Sequence, residues 1–126
     1  MSLLIIYISH TETFDADLVL EFLNTCPGVY NIKESPDERA RLMAQYDFGQ
    51  DSTIFDLGTD LKAVAISGTG IASLQMCCMF QAAYPKPLHV IDEAYCFDLE
   101  ISAFNNAVEL GEAMLAAENK AVEEAS

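Results

Sequence analysis

Leu3-Leu4-Ile5-Ile6-Tyr7-Ile8, followed at once by Ser9-His10-Thr11-Glu12, is the stretch that decides how the rest of the chain is read. Six consecutive apolar positions show no alternation. Such a run fits a central strand buried on both faces, as in parallel sheets covered by helices on each side. Ser9 and Glu12 have capping-box spacing. A helix over residues 14–24 is therefore expected next, with Phe14, Leu18 and Phe22 on one line and Val19 and Leu23 beside it as its buried stripe. Asp15 and Asp17 in its first turn complement the helix dipole, and Pro27-Gly28 stops it.

Working outward, residues 29–33 read as a second short strand. Ser35-Pro36-Asp37-Glu38 offers a cap serine, a proline at the first helical position and a glutamate three after the cap, which predicts a helix reaching Tyr46. Residues 53–57, bounded by Gly49 and Gly58, predict a third strand. Residues 61–66 predict a fourth, ending in Ser67-Gly68-Thr69-Gly70. Residues 71–83 are apolar nearly all round, so a buried helix is expected, ended by Pro85 and Pro87. Its Met76, Met79 and Phe80 read as core, with a homo-oligomer contact as the alternative. A short strand follows at 88–91. From Asp92 onward the chain holds nine acids and one base, Lys120. There Phe104, Val108, Leu115 and Val122, with Ala107, Met114 and Ala121, fall at helical spacing. They predict an amphipathic helix with an acidic outer face, fraying past Asn119. Strands alternating with helices give the expected class: one layered α/β domain over residues 1–126, with a mostly parallel sheet of four to five strands flanked by helices.

The composition bounds function. The chain has 126 residues, 52% of them apolar, enough for one core. Six Lys or Arg face twenty Asp or Glu, a net charge of −14. No basic patch can neutralise a run of phosphates, so DNA or RNA duplex binding is excluded, and an anionic membrane surface would repel the chain. The Leu3 run is too short for a signal sequence or a membrane span. Cys26, Cys77, Cys78 and Cys96 contain no CxxC pair. They read as reduced core thiols rather than zinc ligands, which places the chain in the cytoplasm.

Three places offer chemistry. Ser9–Asp17 (SHTETFDAD) gathers His10, Glu12, Asp15 and Asp17 at a strand end, where open α/β sheets bind ligands. This set reads either as a divalent-cation site or as capping and dipole residues only. Ser67, Gly68, Thr69 and Gly70 precede a helix whose free amides suit an anion, unless the turn is simply a capped one. Asp92-Glu93-Ala94-Tyr95-Cys96-Phe97-Asp98 reads as a site edge or as an acidic loop whose aromatics close the core. His89 reads as a core histidine.

Two stretches, LIIYISHTETFDADLVLEFL and SGTGIASLQMCCMFQAAYPKPLHVIDEAYCFDLEISAFNNAV, together resemble the short-oligonucleotide branch of the DHH phosphoesterases. The first is similar to that family's buried strand and H-x-N-x-F-D-G motif, with Glu12 in place of Asn or Asp and Ala16 in place of Gly. The second is similar to its S-G-A-x-L-x-W helix, its F-P-x-P turn and a later aspartate segment, matched at Ser67, Gly68, Gly70, Pro85, Pro87, Asp92 and, shifted in character, Tyr95 and Phe97. The resemblance implies a reduced DHH domain. His10, Asp15 and Asp92 would then be its metal positions, Mn²⁺ the cofactor if any is kept, and Ser67–Gly70 the ligand-binding edge. The chain has no Asp-His-His triplet. Two-metal hydrolysis needs two closely placed ions, so the implied activity is absent or weak: a non-catalytic domain binding a small nucleotide or phosphodiester. The charge supports a second reading, an acidic inhibitor of the immunity, antitoxin or anti-defence kind that covers a basic partner surface. A third is a metal-dependent phosphodiesterase using His10 with Asp15 or Glu12.

Overall fold

Every second residue of the opening strand is buried. Leu4 and Ile6 are fully enclosed, while Leu3, Ile5 and Tyr7 are half-buried. A strand buried on both faces would show no such alternation; this one has a closed side and an open side. The computed structural model describes residues 3–34 and 40–125. In order, they form β1 Leu3–Tyr7, α1 Ala16–Thr25, β2 Val29–Glu34, β3 Ala40–Phe48, β4 Asp51–Gly58, β5 Val64–Ser67, α2 Ile71–Ala83, β6 His89–Asp92, β7 Asp98–Glu100, a 3-10 turn Ile101–Ala103 and α3 Ala107–Ala125.

The strands make one seven-stranded sheet in the order β2-β3-β4-β5-β1-β6-β7. Every neighbouring pair is antiparallel. The expected mostly parallel sheet of four to five strands is therefore wrong, and its reason is topological. Strands β5 and β6 do run in the same direction, joined across the sheet by α2. But β1 lies between them, pairing Leu4 with Ile66 on one side and with Asp92 on the other. The β-α-β alternation is present in the chain, while the parallel contact it normally produces is filled by an inserted strand.

Strand β3 is the second correction. The proposed cap at Ser35–Glu38 lies outside the described residues, and 40–46 is strand rather than helix. Leu42, Ala44 and Tyr46 are buried, while Arg41, Met43 and Gln45 point to the other side. The residues are good helix formers, but the period is two, and pairing with β2 and β4 on both flanks overrides propensity. Gly49 and Gln50 form the two-residue turn into β4, with Gly49 at φ 63°.

Helix α1 starts later than its capping-box signal suggests. Its N-cap is Asp15, whose Oδ1 accepts from the amides of Asp17 (3.0 Å) and Leu18 (3.4 Å). Ser9 Oγ instead accepts from Glu12 N (3.1 Å) and Thr11 N (3.3 Å) in a serine turn. Val19, Phe22 and Leu23 face the core as expected, and Leu18 does not. Helix α2 matches its predicted bounds and brings Met76, Cys77 and Phe80 inside. The Phe80 ring meets those of Phe14, Phe22, Phe55 and Tyr84 at centroid distances of 5.2–5.6 Å. Helix α3 buries Ala107, Leu110 and Met114, whereas Val108, Leu115 and Val122 are 62%, 58% and 69% exposed. The true stripe is thus one residue out of phase with part of the expected one. Gly111 permits the approach to α2, since a Cβ there would come 2.9 Å from Leu74 Cδ1. The helix continues past Asn119 to Ala125. Among the described residues no helix is long and apolar enough to cross a membrane.

The strand residues that pack into the core all point to one side: Leu4 and Ile6, Leu42 and Ala44, Phe55 and Leu57, Val64 and Ile66, and Val90. On the other side one residue from each strand falls in register: Lys33, Met43, Asp56, Ala65, Ile5, Ile91 and Asp98. None of these seven is fully buried. That uncovered face carries the candidate site.

Candidate functional site

Because Leu4 and Ile6 take the covered side of β1, Tyr7 falls on the uncovered one. Register sets it opposite His89 on β6, and the turn after β1 brings His10 back beside it. Tyr7 therefore stacks with both imidazoles of the chain, at centroid distances of 5.2 Å to His89 and 5.8 Å to His10, with ring planes within 25°. His89 is half-buried on this face, not in the core as expected. Asp98 of β7 joins the group: its Oδ2 accepts from the Tyr7 hydroxyl at 2.5 Å, and its Oδ1 is 3.4 Å from His89 Nδ1. Burial pushes the Tyr7 hydroxyl well above its ordinary pKa, and the bond to Asp98 and that carboxylate's charge push it further. Tyr7 is held as a protonated donor.

Beside this stack lies a groove of about 320 Å³. Its sheet side is Ile5 and Ile91, neighbours in the cross-sheet row. Around them stand Tyr7, His10 and Tyr95, with Ser9 and Lys62. Asp92 builds the turn that presents Tyr95: its carbonyl accepts from Tyr95 N at 3.1 Å, and its Oδ1 accepts from Cys96 N at 2.7 Å. Tyr95 has φ 57° and is 58% exposed. A non-glycine residue in this conformation is uncommon and is held here by Asp92.

The three residues expected to hold a metal are placed apart in function. His10 stands in the groove, Asp15 is spent on the α1 cap, and Asp92 is spent on the Tyr95 turn. Glu12 pairs with Lys86 at 3.1 Å. Among the described residues no group of three His, Cys, Asp or Glu side chains is placed to hold a metal ion. His10, Asp15 and Asp92 therefore do not come together as one ligand set.

Ser67–Gly70 is also differently used. The Ser67 carbonyl accepts from Thr53 Oγ1 and Ser73 Oγ, both at 2.7 Å, and Ser67 Oγ accepts from Ile54 N at 2.9 Å. Gly68 turns the chain at φ 75°, and Thr69 is exposed. Gly70 is the N-cap of α2 and supplies no capping side chain. Asp51, from the start of β4, does so in its place: its Oδ2 accepts from Ala72 N at 3.0 Å. A Cβ at position 70 would collide with that carboxylate, so a larger residue there would require Asp51 to shift. The seat expected for a ligand's anion is filled by the protein's own.

Two further carboxyl and thiol environments matter. Asp56, midway along the uncovered row, has its carboxyl raised above the usual range by burial. Cys77 is fully buried and its thiol is pushed far up for the same reason, so it is inert core. The four cysteines are free.

Tyr95 and Asp98 lie in the Asp92–Asp98 segment that reads as a site edge, whereas Tyr7, Lys62 and the capping role of Asp51 are not foreseen from the sequence. Tyr7 had a signal, as the one polar-tipped side chain in the opening run. The others required the antiparallel register and the β3–β4 turn. No family model, no curated protein and no solved structure matches the chain.

Proposed function

We propose that this chain is a non-catalytic, acidic binding protein that covers a basic surface of a partner protein with the uncovered face of its sheet. The observation that carries this reading is the asymmetry of the sheet. An antiparallel sheet can leave one face to water, but that face is then normally polar. Here the row across it holds Met43, Ala65, Ile5 and Ile91, and Met43 and neighbouring Ile54 are 37% and 40% exposed. An apolar centre with charged surroundings suits a protein contact.

The net charge of −14 supports the sign of the partner. It repels acidic surfaces and accelerates encounter with basic ones. Asp56 sits half-buried among apolar neighbours, where a partner's cation would relieve its desolvation. A nucleotide phosphate at Ser67–Gly70 would have to displace the Asp51 carboxylate, so the protein-binding reading is preferred to the nucleotide one.

The test is capture on the immobilised protein followed by variants. A single basic protein should bind in fixed stoichiometry and be released between about 0.1 M and about 1 M salt, where the screening length falls from ~10 to ~3 Å. Capture should be lost in the double variant Met43→Asp/Ile54→Asp, with its circular dichroism unchanged. Retention by that variant, or a partner of acidic charge, would overturn the reading.

A further inference from the structure

The groove next to Tyr7 shares Ile5 and Ile91 with the proposed partner face, but its three rings, Ser9 and Lys62 are not used by that reading. We propose that it binds a small planar aromatic molecule carrying one carboxylate, with Lys62 as the charge partner and Tyr7, His10 and Tyr95 as ring contacts.

The surfaces determine the body of the ligand. Ile5 and Ile91 give an apolar base, and three aromatic rings stand around it. Flat ligands gain most from such rings, through offset stacking and edge contacts. The volume, about 320 Å³, lies at the small end of ligand pockets, ~300–1,000 Å³. It suits a single substituted ring rather than a dinucleotide.

The charges determine its polar end. Lys62 is the only lining residue with a fixed charge at neutral pH, and its ammonium forms no ion pair among the described residues. The turn that carries it is held in place. Leu61 O accepts from Phe14 N at 2.7 Å, and Asp60 Oδ1 accepts from the Lys62 amide at 3.1 Å. The nearby Asp98 carboxylate is committed to Tyr7 and His89 and does not line the groove. Ser9 Oγ accepts from two backbone amides and lies 3.5 Å from Thr11 Oγ1, so with Thr11 as the donor of that long contact its own hydroxyl hydrogen can turn to a carboxylate in the groove. Tyr95, strained and exposed on the turn that Asp92 builds, is where a ring-covering side chain would be expected.

Anthranilate is a suitable probe, because it is fluorescent and the chain has no tryptophan. Titrated into the full chain, it should give saturable fluorescence and amide shifts centred on Tyr7, His10, Lys62 and Tyr95. Lys62→Gln and Tyr95→Ala, both at exposed positions, should each weaken binding by about tenfold. Benzylamine, benzyl alcohol and acetate should bind far more weakly. Absence of saturation at millimolar anthranilate would overturn the proposal. So would equal binding of benzylamine or benzyl alcohol, or unchanged affinity in Lys62→Gln. Partner capture uses Met43 and Ile54, which do not line this groove, so failure of either proposal can be told from failure of the other.

Discussion

The two faces of the one sheet differ in what covers them. On the covered face, alternate strand residues meet α1 and α2 and are enclosed to within a few per cent of complete burial. On the uncovered face, residues of equal hydrophobicity, Ile5 and Ile91 among them, stay half-open. Intrinsic hydropathy therefore does not distinguish core from surface here; the side of the pleat does. One side holds the fold together. The other is free to be specified by binding, and it is there that the chain concentrates both imidazoles, Tyr7, Tyr95 and the Asp98 carboxylate.

The sharpest break between the faces should come from truncation. Phe80→Ala removes the ring at the centre of the aromatic cluster and should cost about 3–5 kcal/mol in denaturant unfolding. Met43→Ala and Ile54→Ala, on the uncovered face, should each stay within about 0.5 kcal/mol. Equal losses at the two sets would mean that the open face is structural. The same contrast applies within α3. Leu110→Ala should cost about 2–5 kcal/mol, and Val108→Ala or Leu115→Ala about 0.5 kcal/mol or less. The reverse order would return the helix to the phase expected from its sequence.

Asp51→Ala takes away the carboxylate that caps α2 from outside the helix and should cost about 1 kcal/mol, with Asp51→Asn closer to wild type. The smallest effect belongs to Asp56. Burial raises its carboxyl, so the folded chain keeps that proton to higher pH than the unfolded chain. Its favourable contribution is complete below the ordinary carboxylate range and is lost as pH rises through the folded value. Asp56→Asn should therefore raise the melting temperature at neutral pH, and the gain should vanish as the solution is acidified below that range. Glu112→Gln, exposed on α3, is the control for net charge. A gain that persists in acid would remove the burial argument.

Three of the four expected helices are legible in the sequence, while the one reaching Tyr46 is strand over 40–46. The Gly70 boundary and the Pro85 stop located α2, and the apolar runs at 29–33, 53–57, 61–66 and 88–91 all overlap observed strands. What was hidden was pairing. Nothing local in Leu3–Ile8 tells a strand buried on both sides from one whose second side is apolar but open. Arg41–Tyr46 has helix-forming residues at strand spacing, and only its partners β2 and β4 decide between them. The site was partly legible for the same reason. His10 and Asp92 were singled out, but as metal ligands. One stands in an aromatic groove, and the other holds a turn across a hairpin whose second strand, β7, is only three residues long.

The inserted position of β1 has a consequence for the order of folding. Strands β2 to β5 pair in sequence order with their nearest neighbours along the chain. The partners of β1 are Val64–Ser67 and His89–Asp92, so it must wait for distant chain on both sides. Loop-closure entropy makes such pairings late. The first strand in the chain is then the last to be placed, the element that joins a four-stranded meander to the β6–β7 hairpin. Pulsed hydrogen exchange during refolding should protect the amides of Ala44 and Phe55 before those of Ile5 and Ile6, and simultaneous protection would refute this order.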